Sequence, residues 1–445
     1  MSPALALLTL LLSVGTAGAA SSAWPPALQP DSAGGVPPAL LTAEPLDACP
    51  RFRLFSGSEA YPDPDIAIKD VTPFPPADLP AFADDLDRAG LLQALGTNLA
   101  YWRVKPDSFR IKVGADYFAA PAMRAASARL LEIFSSGLTP AEERAALAAE
   151  FRAYRAVADD GSGRHSPQSV PGALRPAGSG GVVFTGYYEA EIPATRVPTA
   201  ESRYPLNLRP ADLVKTTPAM GVNFDYGRYV DGVMRRHLAS GEIYAGGLTG
   251  QGLEAAWSAH PSHIMLAQIQ GSGVLRFPDG DIMKIGFDGA NGHAFKSVQR
   301  LLMDCGEIPS MNFQDFIAYL SRQENGREER LVSLNPRYIF FRVKDRDSQP
   351  QGAMGTPLVP GRSIAVDPKP VPYGLAVVMK TRRPVAQPGG GLSFRDVTRM
   401  AATHDTGSAI RGPGRVDIFW GGGPVAEREA SSMKASGELY LILPK

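Results

Sequence analysis

The chain is short of the residues that metal, redox and nucleic-acid proteins lean on. Its 445 residues include two cysteines and six histidines. Cys49 and Cys305 lie far apart, so a disulfide and two separate buried thiols are both open readings. His260 and His263 have an i, i+3 spacing that invites zinc, but Pro261 lies between them and no third ligand is nearby. An exposed turn is expected there, with no metal and no cofactor. Net charge is also absent: Lys+Arg and Asp+Glu each total 45. Without a global field there is nothing to draw in nucleic acid. Beyond the N-terminus no stretch reaches the ~20 apolar residues a spanning helix needs.

Met1 to Ala20 has an apolar run from Ala4 to Val14 and ends in small residues, Gly15-Thr16-Ala17-Gly18-Ala19-Ala20. This is the pattern of a cleaved export signal, although the usual basic n-region is missing. Leu46-Asp47-Ala48-Cys49 faintly resembles a lipoprotein cleavage site, but it follows a polar, proline-rich stretch and carries Asp47, so no lipid anchor is expected. An exported protein is the expectation.

Residues 21–75 are rich in Pro, Ala, Ser and Asp and are expected to be extended or disordered. From Leu79 to about Asp159 the pattern turns helical. Thr139-Pro140-Ala141-Glu142 is a capping box with proline at the first helical position, and Leu147, Phe151, Tyr154 and Val157 follow near helical spacing. A Gly/Ser/Pro connector occupies 160–181. Short β-like runs come next at Val182–Phe184, Ile264–Leu266 and Val274–Phe277, the last forming a hairpin with Ile282–Ile285 across Pro278-Asp279-Gly280-Asp281. Helices are expected at about Tyr226–Leu238, Phe295–Met303 and Phe313–Arg322.

From Arg337 the β signal returns at Tyr338–Val343, Ser363–Val366, Leu375–Met379, Val416–Trp420 and Leu439–Leu443, broken by one helix, Pro424–Lys434. Five or six short strands in about 110 residues, with Gly/Pro turns between them, have the density of a small closed barrel. The expected fold class is mainly β with a helical N-terminal scaffold. The expected division is 1–20 signal peptide, 21–75 extended or disordered segment, 76–180 helical scaffold, 181–334 a second β domain and 335–445 barrel.

The chemistry centres on Asp405-Thr406-Gly407-Ser408-Ala409-Ile410-Arg411-Gly412 and Arg415-Val416-Asp417-Ile418-Phe419-Trp420. Asp405 and Asp417 are both expected in short, apolar, glycine-flanked strands, a setting that can desolvate a carboxyl group and raise its pKa toward that of a general acid, which glycosidic cleavage requires. Alternation puts Asp417 on the face opposite Val416 and Ile418. Read alone, Asp417 could equally be a strand carboxylate paired with Arg415, and Asp405 a turn cap. Asp405-Thr406-Gly407 also matches half of an aspartic-protease site, but one copy in a long chain fits that poorly.

Seven stretches in order resemble the membrane-bound lytic murein transglycosylase A family: Phe184-Thr185-Gly186-Tyr187-Tyr188-Glu189, Tyr204-Pro205-Leu206, Ile269-Gln270-Gly271-Ser272-Gly273, Ala290-Asn291-Gly292-His293, Asn335-Pro336-Arg337-Tyr338-Ile339-Phe340-Phe341, Gly361-Arg362-Ser363-Ile364-Ala365-Val366-Asp367, and Asp405 to Gly423. The resemblance implies a double-psi β-barrel, an inserted β domain and a glycan groove between them. It implies a peptidoglycan lytic exotransglycosylase that breaks the MurNAc–GlcNAc β-1,4 bond and leaves 1,6-anhydro ends. Asp417 is then the single acid and base, with Asp405 its electrostatic partner. Thr185, Tyr187, Tyr188, Gln268, Gln270, Ser272, Asn291 and Asp367 are the expected glycan contacts or supports. Peptidoglycan strands, and other cell-wall enzymes, are the expected partners, and a soluble periplasmic form is expected in place of the lipid anchor that the family name implies. Ser408, Arg411 and the stretch between Gly246 and Gln268 depart from the family pattern. A hydrolytic muramidase and a non-catalytic, expansin-like glycan-binding barrel are the alternatives.

Overall fold

The computed structural model describes Cys49 and residues 71–82, 84–157, 181–324, 326–388, 391–407 and 409–445. The export signal, most of the 21–75 segment and nearly all of the Gly/Ser connector lie outside these residues.

Eleven strands form one sheet: β1 (Thr72–Phe74), β2 (Phe151–Arg155), β3 (Val182–Pro193), β4 (Ser272–Arg276), β5 (Ile282–Ala290), β6 (Ile339–Lys344), β7 (Ser363–Ala365), β8 (Ala376–Ala386), β9 (Leu392–Asp405), β10 (Arg415–Gly422) and β11 (Lys434–Pro444). Their order is β1-β2-β11-β8-β9-β7-β10-β3-β4-β5-β6, and a further pairing of β11 with β3 closes six of them into a ring. The ring is a barrel because every strand in it sends alternate apolar residues inward. Val182, Phe184, Ile364, Val377, Met379, Ala401, Val416, Ile418, Leu439 and Leu441 share one core. Each such side chain stabilises the fold by roughly 1.5–3 kcal/mol through burial.

The barrel's outer face is covered on one side by α1 (Arg88–Arg103), α2 (Ala120–Ser135) and α3 (Pro140–Glu150). Leu91, Leu95, Leu130, Ile133 and Leu147 pack there against Ala376, Val378, Met400, Tyr440 and Ile442. The capping box of α3 forms as its sequence dictates: Thr139 N–H donates to Glu142 Oε2 at 2.8 Å and Glu142 N–H to Thr139 Oγ1 at 3.3 Å. The helix stops at Glu150, however, and Phe151–Arg155 is a strand.

The other departures have local causes. Pro261–Gln270 is a helix, α4, where a strand was expected at Ile264–Leu266. A short apolar run is ambiguous, and here Pro261 at the first turn and left-handed Gly271 at the end decide for helix. The helix expected over Tyr226–Leu238 is instead a hairpin, Tyr226–Val230 with Val233–Arg235. Asp231 and Gly232, with φ of 51° and 75°, make the turn that joins them. β9 was expected only as a short strand at Asp405 and runs back to Leu392, and β6 pairs with β5 rather than in the ring, although the barrel was expected to begin at 335. Further helices occupy Val298–Asp304, Phe313–Ser321 and Pro424–Ser432, close to expectation. Cys49 and Cys305 are joined by a disulfide.

Candidate active site

β3 positions the site because two substructures share it. It pairs in parallel with β10 and with β4, and antiparallel with β11. Its even-numbered residues, Gly186 apart, are buried, Val182 and Phe184 in the barrel and Ile192 in the core of the second substructure. Its odd-numbered residues, Val183, Thr185, Tyr187, Glu189 and Glu191, therefore lie along one half-buried face that runs across both.

Asp417 lies on the same outer face. It stands opposite Thr185 on one side and opposite Ala365 on the other. Its neighbours Val416 and Ile418 point into the barrel, as alternation predicts. The Thr185 hydroxyl donates to Asp417 Oδ1 in a short contact. Arg415 Nε is 3.6 Å from the same oxygen, a loose ion pair, and Nε itself makes no hydrogen bond. The carboxyl side chain is 19% exposed. Burial pushes the Asp417 pKa up, and the Arg415 guanidinium only partly opposes this.

Asp405 ends β9 and is also in register with Ala365. Three donors hold it: Ala353 N–H at 2.7 Å and Thr406 N–H at 2.8 Å reach Oδ1, and the Tyr187 hydroxyl reaches Oδ2 at 2.9 Å. Burial still raises its pKa to about 6, aided by the charge of Asp417. Gly352 lets the loop come this close: a Cβ there would stand 2.5 Å from His404 O and 3.1 Å from Asp405 Cβ. Gly186 has a similar reason, since a Cβ would lie 2.5 Å from Trp420 Nε1.

The remaining expected residues divide. Tyr187 joins the site and packs on Phe419 at 5.2 Å between ring centroids. Ser272 is half-buried at the start of β4. Tyr188 faces the other way, its hydroxyl donating to Glu427 at 3.0 Å. Gln270 Oε1 accepts the Tyr188 N–H at 3.0 Å, and Gln268 is buried in α4. Asn291 is fully buried; its amide donates to Leu238 O and Pro336 O and accepts from Tyr338 N–H and His293 N–H. Those atoms are occupied within the protein. Asp367, also buried, accepts from Gly412 N–H at 2.8 Å and Lys369 N–H at 3.1 Å, which fixes the loop before β10.

The exposed turn expected at His260 and His263 is instead the start of α4: both are half-buried, His263 lies in the helix, and His260 Nδ1 is 2.9 Å from Glu328. Among the described residues no cluster of His, Cys, Asp or Glu could hold a metal. Two groups escaped the sequence reading. The Ala353 N–H reaches Asp405 from a loop, and Lys434 stands opposite Thr185 across β11. Neither carries a local motif; only register reveals them.

This arrangement can be set beside known proteins. The MltA specific insert domain matches residues 183–342, and the 3D domain matches 362–443. The chain belongs to the lytic murein transglycosylase A family. It is 28% identical to membrane-bound lytic murein transglycosylase A of Escherichia coli K12, and 27% to that of Vibrio cholerae. Each match runs over 267 residues, 59% of this chain and 66% of the relative's length. The crystal structure of a membrane-bound lytic murein transglycosylase from Agrobacterium tumefaciens is 27% identical, with a TM-score of 0.66 over 84% of this chain and 98% of that one. E. coli MltA with bound chitohexaose shares the fold at 20% identity and a TM-score of 0.58, over 84% of this chain and 95% of that one.

The family assignment supports the mainly β, closed-barrel fold expected from the sequence. It sits less easily with the expected soluble form, because the relatives are named membrane-bound. No helix among the described residues is long and apolar enough to cross a membrane. The Cys49 sulfur is engaged by Cys305 rather than free to carry a lipid.

Proposed function

We propose that this protein is a periplasmic lytic transglycosylase that cleaves the MurNAc–GlcNAc bond of peptidoglycan and leaves 1,6-anhydro-MurNAc ends. Asp417 acts first as acid and then as base. The observation that carries the reading is a desolvated carboxyl with a raised pKa on the open face of β10, hydrogen-bonded to Thr185. Protonated Asp417 delivers its proton to the glycosidic oxygen as that bond breaks. The resulting carboxylate takes the proton from the sugar's own C6 hydroxyl, whose oxygen closes on C1. Intramolecular attack has a high effective concentration and leaves water out of the product. One carboxyl can serve both steps, whereas a hydrolase needs a second as base or nucleophile.

Asp405 is the electrostatic partner in this scheme. The charge of Asp417 disfavours ionisation of Asp405, which couples the two carboxyls, and three donors fix Asp405 in position. Thr185, Tyr187 and Ser272 line the glycan wall, while Asn291 and Asp367 support the groove from within. The parallel pairs β3–β10 and β7–β9 support a double-psi connection. We take the second domain to run from the shared strand β3 to β6, and the N-terminal twenty residues as the cleaved signal. The chitohexaose of the E. coli relative matches the glycan class proposed here.

A muramidase is the second reading, favoured by Asp405 as another carboxyl of raised pKa near Asp417. Mass spectrometry of products from purified peptidoglycan separates the two. Fragments lighter by one water than hydrolysis products support the transglycosylase, and reducing ends would replace it with the hydrolase.

A further inference from the structure

The open face of β3 does not end at the aspartates. Glu189 lies four residues beyond Thr185, about 13 Å along the strand, and there the face turns from polar to charged. Lys284 on β5 and Lys344 on β6 are direct cross-strand partners, and Arg342 follows opposite Gly286. Like charges directly opposite each other destabilise a sheet. The fold nevertheless makes room for them: a Cβ on Gly286 would stand 2.8 Å from Lys344 Cδ, so the lysine stem lies across that glycine.

The neighbouring acids offset these charges only in part. Lys284 Nζ is 3.7 Å from Glu189 and donates to Ser348 O at 2.9 Å, while Lys344 Nζ donates to Gln349 O at 3.3 Å. Glu191 is taken by Arg276 at 2.7 Å, and Asp345 is the other carboxylate acting on Lys344. Four cations thus meet three carboxylates, and each ammonium has three donors to place. Burial lowers the Lys344 pKa; Arg342 and Lys284 add to the effect, and Glu189 and Asp345 oppose it without cancelling it.

A fully acetylated β-1,4 glycan is neutral and gives such groups nothing to pair with. The negatively charged atoms on these strands are carboxylates appended to muramic acid, either on its stem peptide or as the free lactyl group of a stripped strand. We propose that Lys284, Lys344 and Arg342 form a shelf that recognises those carboxylates and so favours muramic strands over neutral glycans. This rests on the peptidoglycan reading above.

The test compares the wild-type chain with the exposed single variant Arg342→Gln and the double variant Lys284→Gln/Lys344→Gln. The probes are peptide-bearing strands, amidase-stripped strands and chitohexaose. The shelf predicts that the double variant raises KM about tenfold on peptide-bearing strands, with kcat unchanged, because charge-assisted hydrogen bonds are lost. Arg342→Gln raises it less, and chitohexaose affinity does not change. A deficit confined to stripped strands assigns the shelf to the lactyl carboxylate. Unchanged KM in both variants overturns the proposal. So does an equal loss on chitohexaose, since the lysines would then only hold the 345–350 loop. If the wild type cleaves nothing, the enzyme reading fails alone; the affinity difference between peptide-bearing strands and chitohexaose, and its loss with salt, still judges the shelf.

Discussion

Asp405 and Asp417 stand in register with the same residue, Ala365, one on the parallel side of β7 and one on the antiparallel side. Two ladder steps separate their backbones, about 10 Å, and both carboxyls face out of the barrel. The closed ring therefore places two carboxyls twelve residues apart in sequence on one surface, with Tyr187 bonded to one and packed on the strand of the other.

Tyr187 tunes that pair. Its hydroxyl bond favours the ionised form of Asp405, so Tyr187→Phe is expected to raise the Asp405 pKa above its present value of about 6, by about one unit for one lost hydrogen bond. NMR titration of Asp405 in the variant checks the direction. An unchanged or lower value would mean that the hydroxyl does not act on this carboxyl.

Asp405 and His404 impose opposite pH dependences on stability. The Asp405 pKa is raised from 3.8 to about 6, so its protonated form is favoured by folding and that stability is lost as pH rises from about 4 to 6. His404 is buried against Ser363 and Asn98, and burial lowers its pKa from 6.5 to about 4. Its stability is present above 6.5 and lost as pH falls toward 4. Asp405→Asn is expected to melt higher than wild type at pH 7, by about 2–3 kcal/mol, and alike at pH 4. Thermal melts across that range measure it.

Asp85 ties the segment before α1 to the barrel. Burial pushes its pKa up, yet Arg399 and Arg383 outweigh this and hold it below the usual range. Its carboxylate accepts from Arg383 Nε at 2.6 Å and pairs with Arg399, whose side chain is 2% exposed. Asp85→Ala leaves a buried guanidinium unpaired and is expected to cost about 3–5 kcal/mol, read from chemical denaturation.

The disulfide closes a loop of 256 residues from Cys49 to the end of the helix at Val298–Asp304. Its reduction, or Cys305→Ser, is expected to lower stability by about 2–4 kcal/mol. Melting with and without reductant tests this, and equal curves would mean that the link constrains little of the unfolded chain.

Much of this was legible in the sequence, for reasons that can be named. Val416 and Ile418 flank Asp417 in strict alternation, so its outward direction followed from period two alone. The Thr139–Glu142 box and the Pro278–Asp281 turn carry their own local chemistry. Elsewhere, short signals competed. Asp231-Gly232 is a hairpin signal inside a stretch read as helix, and Pro261 with Gly271 bounds a helix in a run read as strand. The first half of β9, Leu392 to Asp396, is mostly exposed and polar, so no apolar run marks it. The pairing of Cys49 with Cys305 and the approach of Ala353 to Asp405 depend on tertiary contacts that no spacing encodes. Asn291 looked like a sugar ligand because a polar residue beside a strand reads the same whether it meets solvent or backbone.

Asp417→Asn tests the central claim most directly, with release of anhydro-muropeptides and binding to insoluble peptidoglycan measured side by side. A general acid contributes about 10²–10⁴ in rate. The account predicts that release falls by at least that lower figure while binding persists and the melting temperature does not drop. Turnover near the wild-type rate in a folded variant would contradict it and move the acid to another residue, with Asp405 the first to examine.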